Sequence, residues 1–288
     1  MSTTGHPLRI GLIGANIGTS LSPALHMREA DEHGLVGYRY ELIELAEDAD
    51  PGAAMLAAVA DGFDGFNITH PFKQSVMTVL DELSDEARAL GAVNTVIVVD
   101  GKLFGHNTDH TGFGTALALG LPGAAKGRVT LVGAGGAGSA VAFALAHAGV
   151  AHLTIADVLV DRAADLVSRV SAAVPADIRA IGLDQVAPTI EAADGIVNAT
   201  PIGMVGHPGL PIPTGRLRPS QWVADIIYRP IETELIWTAR RSGCRVLDGG
   251  QMLVAQAAAS FDLFTCRHAD VARMRGHLDH LIDRLPAA

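Results

Sequence analysis

The sequence predicts an α/β protein of two domains, an N-terminal α/β substrate domain and a Rossmann-type doubly wound dinucleotide-binding domain. Three observations carry this. Short apolar runs alternate with helical patterns along most of the chain; a GxGxxG run at residues 133–138 stands directly between a strand pattern and a helix pattern; and the alternation restarts after a glycine–proline break at residues 120–123. A length of 288 residues suits two domains of roughly 100–200 residues each.

Taken in order, residues 8–13 form an apolar run ending in glycine, a strand signal. Beyond Pro23, Ala24, Met27 and Ala30 recur at every third position, as one helix face does. Residues 38–43 read as a strand, 53–60 as a helix, 65–68 as a strand and 74–80 as a helix. Residues 92–99 and 102–105 flank Asp100-Gly101, a pair that supplies the positive φ of a hairpin turn, and the hairpin delivers the chain to His106-Asn107-Thr108-Asp109. After the break, strand patterns at 129–132, 153–156, 178–181, 195–198, 222–227 and 245–247 have helices between most of them, 138–148 and 162–174 among these. From Gly250 onward the chain reads as helix, with Leu253, Ala257, Phe261 and Phe264 on one face; these C-terminal helices are expected to pack back on the first domain. The expected domains are residues 1–109 with 250–288, which bind substrate, and residues 110–249, which bind the dinucleotide.

Composition narrows the function. Lys and Arg number 21 against 31 Asp and Glu, a net charge of −10 without any basic cluster, which excludes nucleic acid as the expected partner. Cys244 and Cys266 lie far apart, and no histidines have metal-ligand spacing, so neither a zinc site nor a disulfide framework is expected and a reducing cytoplasm fits. The first residues lack the pattern of a secretory signal. The uncharged stretch 129–156 carries five glycines and two histidines and reads as soluble core, not as a membrane span. These features permit a monomer or a homodimer.

In the glycine loop, Gly133 permits a tight turn, Gly135 lets the backbone approach a pyrophosphate, and Gly138 lets helix and strand pack closely; Gly136 and Ala137 complete the phosphate-binding edge at the helix N-terminus. Asp157 ends the next apolar strand, 19 residues after Gly138, where a carboxylate accepts hydrogen bonds from the ribose hydroxyls and repels a 2′-phosphate. Arg162, five residues on, is the nearest arginine to follow it and counts among the cofactor residues. NAD is favoured over NADP. The competing reading is that the glycines only shape a βα turn and Asp157 only caps the next helix.

Four polar segments belong to the first domain: Ser20-Leu21-Ser22-Pro23, Asn67 to Lys73 (NITHPFK), Asn94-Thr95 and Asn107-Thr108-Asp109. Hydroxyls and carboxamides both donate and accept, which suits a ligand bearing several alcohols, while Ser20 and Ser22 suit a carboxylate. In this order, and together with NATPIGM at 198–204, DIIYRP at 225–230 and DGGQMLVAQAAASFDLFT at 248–265, they resemble the shikimate/quinate dehydrogenase family over nearly the whole chain. NITHPFK, the GAGGAG loop with its acidic residue and IETEL at 231–235 are most similar to the actinobacterial NAD-dependent quinate/shikimate branch.

The resemblance implies reversible oxidation of the 3-hydroxyl of shikimate or quinate, a hydroxylated cyclohexene or cyclohexane carboxylate. It implies that Lys73 and Asp109 are the catalytic pair, with Lys73 the acid/base and Asp109 its orienter and a partner of the ring hydroxyls. It further implies that Asn94 binds ring hydroxyls, that Ser20, Ser22, Thr69 and Tyr228 bind the carboxylate side, and that Gln256 binds the ring; Asn67 joins this substrate set. Nicotinamide is expected near Thr200, Met204, Gly249 and Met252. His70 stays outside the catalytic set, because a structural or substrate-edge role suits it as well as proton relay.

The chain departs from the family pattern at Met27, where asparagine is common and helix packing is expected to change, and at Cys266, where glycine is common and the turn geometry is in question. Quinate-preferring members often carry threonine at the position of Ser22, so serine leans toward shikimate. The alternatives are an aminoshikimate or cyclitol dehydrogenase on the same scaffold, or a non-catalytic sensor of NAD and a hydroxy acid.

Overall fold

The computed structural model describes residues 6–284. In chain order the elements are β1 (Arg9–Gly14), α1 (Ser22–Glu32), β2 (Arg39–Glu44), α2 (Pro51–Ala60), β3 (Gly65–Ile68), β4 (Glu82–Leu83), α3 (Asp85–Leu90), β5 (Thr95–Val99), β6 (Lys102–His106) and α4 (Thr108–Gly120). There follow β7 (Arg128–Val132), α5 (Gly136–His147), β8 (His152–Asp157), α6 (Val160–Ala173), β9 (Asp177–Gly182), α7 (Val186–Ala192), β10 (Gly195–Asn198) and β11 (Trp222–Asp225). The last are α8 (Glu234–Arg241), β12 (Arg245–Leu247), α9 (Gly249–Thr265) and α10 (Val271–Ile282). They form two compact units: residues up to 108 together with those from 256 onward, and residues 109–255.

The first unit holds a mixed six-stranded sheet of order β2-β1-β3-β5-β6-β4. β1 pairs in parallel with β2 and β3, while β5 and β6 form the antiparallel hairpin. Asp100 and Gly101 both take positive φ, as a two-residue turn matched to strand twist requires. One face buries Phe66, Ile68, Phe72, Val76 and Val96. Beside the other, Phe261 and Phe264 of α9 pack with Ile10, Leu12, Tyr38 and Tyr40, so the C-terminal helices do return to the first unit. α10 is anchored there by a buried carboxylate: Glu29 of α1 accepts from Arg273 Nε at 3.0 Å and from the Asp270 backbone N–H at 2.9 Å. These bonds offset its desolvation and hold its pKa below the ordinary range.

Two expectations need correcting. Residues 74–80 do not form an α-helix; a 3-10 segment, Ser75–Val79, stands there instead. Val76, Thr78 and Val79 are β-branched and poor helix formers, and the Ser75 and Thr78 hydroxyls bond carbonyls three residues back. Met27 is partly exposed on α1, so its departure from the family pattern lies at the surface and not in the helix packing.

Cys266 ends α9 with a φ of 55°, the left-handed conformation that usually calls for glycine. Cys266→Gly relieves that steric cost but adds entropy to the unfolded chain, leaving an expected gain of about 0.5–1 kcal/mol. An unchanged or lower denaturant midpoint would contradict it.

The second unit is an all-parallel sheet of order β12-β11-β10-β7-β8-β9. Counted from β7, the first three strands run outward one way and the next three the other, which puts the topological switch point between β7 and β10. The strands β10 and β11 are apolar runs up to their last residue, as burial on both faces demands. Among the described residues, no helix is long and apolar enough to cross a membrane.

Candidate active site

In the second unit, the chain leaves β7 at the switch point through Gly133, whose φ is +101°. A Cβ there would lie 2.7 Å from the Ala199 carbonyl oxygen, and one on Gly138 would lie 2.0 Å from that of Gly133. Only glycine fits either position. Gly135 and Gly136 are exposed, with nothing within 4 Å of where a Cβ would stand. Gly135 is the N-cap of α5 and provides no side-chain cap, so the helix starts at Gly136, earlier than the expected residue 138. An uncapped N-terminus behind an open glycine edge fits a pyrophosphate, which supplies the acceptors that the first N–H groups lack.

Asp157 is buried at the end of β8. Its Oδ2 accepts from the Ala134 N–H at 2.7 Å and its Oδ1 from the Leu159 N–H at 2.9 Å. The carboxylate thus braces the glycine loop, and its remaining lone pairs can still accept from hydroxyls. Val158, Leu159 and Val160, which follow it, are all exposed, as is Arg162.

At the end of β10, Asn198 Oδ1 accepts from both the backbone N–H and the hydroxyl of Thr200, at 3.0 and 2.7 Å. Asn198 Nδ2 donates to Asp225 Oδ1 at 3.1 Å, and Asp225 Oδ2 accepts from the Thr233 hydroxyl at 2.7 Å. This network sets Thr200 beside the switch point. Met204 is exposed in the loop beyond; Gly249 opens α9, where Asp248 Oδ1 accepts from the Gly250 N–H, and Met252 is buried on that helix. Tyr228 follows β11, and burial raises its phenol pKa. Asp109 also belongs to this unit, buried in the first turn of α4.

Burial pushes the Asp225 carboxyl up to about 6, against an ordinary 3.8. Between those values the folded protein holds a proton that the unfolded chain has released. The site's contribution to stability is therefore full below about pH 4 and is lost as pH rises through about 6. Asp225→Asn removes this dependence, so its stability relative to the wild type should climb from pH 4 to pH 6 and level off above pH 7. Denaturant midpoints that move in parallel across this range would refute the assignment.

In the first unit, a line of buried polar side chains crosses the C-terminal end of β3. The Tyr40 hydroxyl donates to Asn67 Oδ1 at 2.8 Å and also bonds the Ser22 side chain. Asn67 Nδ2 donates to Thr95 Oγ1 at 3.0 Å, the Thr95 hydroxyl donates to Asn94 Oδ1 at 3.0 Å, and Asn94 Nδ2 donates to Thr108 Oγ1 at 3.0 Å. Asn94 Oδ1 also accepts from the Thr108 backbone N–H at 2.7 Å. Of the expected substrate residues, Ser22, Asn67 and Asn94 are thus joined in one network.

The loop after β3 lies against it. Thr69 N–H bonds Ile13 O, Ala15 N–H bonds His70 O, and Lys73 O accepts from Val93 N–H, each at 2.8–3.0 Å. Lys73 is half-buried, and its carbonyl is bonded to Val93, the residue before Asn94 on the approach to β5. Ser20 Oγ accepts from the Ser22 N–H at 3.3 Å, and Leu21 is the N-cap of α1. Gln256 is half-buried on α9. His26 is fully buried, its ring tilted against that of Tyr40 with centroids 4.5 Å apart, and burial lowers its pKa to about 3, so it stays neutral.

Sequence reasoning assigned no role to Tyr40, Asn198 or Asp225. A signal existed for the last two, since each is the polar final residue of an apolar strand. Among the described residues no cluster of three or more His, Cys, Asp or Glu side chains is arranged to hold a metal.

Comparison with known proteins agrees with this geometry. Residues 12–96 match the shikimate dehydrogenase substrate binding domain, and residues 118–203 match the shikimate / quinate 5-dehydrogenase family. A shikimate dehydrogenase (NADP(+)) of Arthrobacter sp. (strain FB24) is 47% identical, covering 98% of both chains. A quinate/shikimate dehydrogenase (NAD(+)) of Corynebacterium efficiens is 46% identical, covering 92% of this chain and 95% of the relative. The structure of quinate dehydrogenase from Corynebacterium glutamicum in complex with NAD superposes with a TM-score of 0.90 at 43% identity, over 95% of this chain and 99% of that one.

Proposed function

The chain belongs to the shikimate/quinate dehydrogenase family, and on that premise we propose that it reversibly oxidises the 3-hydroxyl of shikimate or quinate with NAD. The observation that carries the substrate reading is the buried line from Ser22 to Thr108, a row of hydroxyls and carboxamides that both donate and accept. Such a row suits a ring bearing several alcohols, because each hydroxyl meets a group able to take either role. Asn94 and Asn67 orient the ring hydroxyls; Ser20, Ser22, Thr69 and Tyr228 hold the carboxylate; Gln256 contacts the ring. Ser22, with its small side chain and no methyl, favours shikimate.

Lys73 takes the hydroxyl proton during oxidation and returns it during reduction, and Asp109 orients the reacting alcohol. NAD, when bound, supplies the hydride acceptor. The glycine edge at 133–138 holds its pyrophosphate, and Thr200, Met204, Gly249 and Met252 lie toward its nicotinamide. The two relatives compared above differ in the cofactor they name. In this chain Asp157 supports NAD: a buried carboxylate followed by three exposed apolar residues offers a ribose two acceptors and a 2′-phosphate only repulsion.

The test is a steady-state comparison of shikimate and quinate, each with NAD and with NADP. The reading expects the highest kcat/KM for shikimate with NAD. A higher value with NADP would overturn the cofactor assignment, and silence in all four would overturn the activity.

A further inference from the structure

We infer that the second unit carries a separate binding site for a small metabolite bearing an oxyanion, a phosphate or a carboxylate, in a cavity of about 460 Å³ framed by β7, β8, β9 and α7. The three strands are adjacent and parallel. Their register sets Arg128, His152 and Asp177 side by side and, two residues on, Thr130, Thr154 and Arg179. Because side chains alternate, both rows present the same face, and all six line the cavity. A parallel sheet normally carries Val, Ile and Leu on both faces. Here α6 covers one face of β8 and β9, whereas α7 has only seven residues and packs on β7.

The polar groups of this face are incompletely used. Thr130 is 2% exposed overall, and its hydroxyl makes no hydrogen bond among the described residues, so it is available in the cavity to a ligand acceptor or donor. Arg179 Nε donates to Thr154 Oγ1 at 3.1 Å, which fixes the guanidinium and leaves both Nη groups for another acceptor. The Arg128 backbone N–H is bonded to Asp194 Oδ2, while its side chain makes no hydrogen bond or ion pair among the described residues. His152 Nδ1 lies 2.7 Å from Asp177 Oδ2, so the cavity's one carboxylate already has a partner.

Two guanidinium groups thus face one cavity in a chain of net charge −10. Their planar forks match oxyanion geometry and, with the Thr130 hydroxyl, give it charge and direction. The cavity begins at the N-terminal ends of the strands, whereas the glycine loop and Asp157 lie at their C-terminal ends, roughly 15 Å along at about 3.3 Å per residue. It is therefore not the dinucleotide site.

The experiment is calorimetric titration of the full chain at low ionic strength, with and without saturating NAD, using inorganic phosphate and separately acetate. Saturable binding in the millimolar range or tighter is expected for at least one probe, unaffected by NAD. Arg128→Gln and Arg179→Gln should each weaken it at least about tenfold while leaving NAD affinity unchanged. Thr130→Val, which keeps the volume and removes only the hydroxyl, should also weaken the anion. Phosphate binding alone would name a phosphorylated ligand, and acetate alone a carboxylate. Binding that survives both arginine substitutions, binding that NAD abolishes, or saturation by neither probe would overturn the proposal.

Discussion

Lys73→Ala is expected to lower kcat at least about a hundredfold, with a much smaller change in KM for the hydroxy acid, because a general acid/base is typically worth 10²–10⁴-fold. The physical basis lies in how the loop after β3 is held. Its backbone is tied at Thr69, His70 and Lys73 to Ile13, Ala15 and Val93, so the amine projects from a fixed support beside Asn94. Alanine leaves those backbone bonds intact. The fold should persist, with an unchanged thermal midpoint, while the hydroxyl proton loses its acceptor. On the proposed reading the dinucleotide is held by the second unit, so its affinity should not move. Turnover within a few-fold of the wild type would remove Lys73 from its role, whereas a parallel collapse of melting temperature and activity would mark it as structural.

Why some of this was legible in the sequence and some was not follows from which forces act locally. β3, β10 and β12 occupy the residues their apolar runs mark out, and the Asp100-Gly101 hairpin follows from the φ that those two residues accept. By contrast, β4 is two residues long and gives no periodic signal; its pairing with β6 is a tertiary event. The early start of α5 was hidden because glycines are poor helix formers, and Gly136 becomes helical only through the closely packed loop before it.

The candidate site divides in the same way. Its polar segments are visible because buried strands do not normally end in Asn, Asp and Thr. Tyr40 was not visible, since a tyrosine in a strand is ordinary until its hydroxyl is found 2.8 Å from Asn67, a partner 27 residues away. The second role of Asp157 was equally hidden. Its reading as a ribose ligand came from spacing, but its bond to the Ala134 N–H depends on how β8 lies against the loop that leaves β7.

That second role shapes the outcome of Asp157→Ser. Two effects separate. Removing the carboxylate removes the repulsion of a 2′-phosphate, which for unit charges about 4 Å apart amounts to roughly 1–4 kcal/mol between bulk water and a protein surface. The ratio of kcat/KM for NAD over NADP should therefore fall by about tenfold or more. The carboxylate also braces the glycine loop, and a hydrogen bond to a charged group is worth about 1.5–3 kcal/mol, so the affinity for both dinucleotides should fall as well. Asparagine would be the poorer test: both carboxylate oxygens accept backbone N–H groups, and its amide would turn a donor toward one of them. Dinucleotide affinities and specificity constants measured together distinguish the cases. A loss common to both cofactors with an unchanged ratio would leave Asp157 as a loop brace only, and the proposed preference for NAD would lose its support. A narrowed ratio on top of the common loss is the result that the geometry of β8 predicts, with the exposed Arg162, five residues on in the chain, as a candidate to receive the 2′-phosphate.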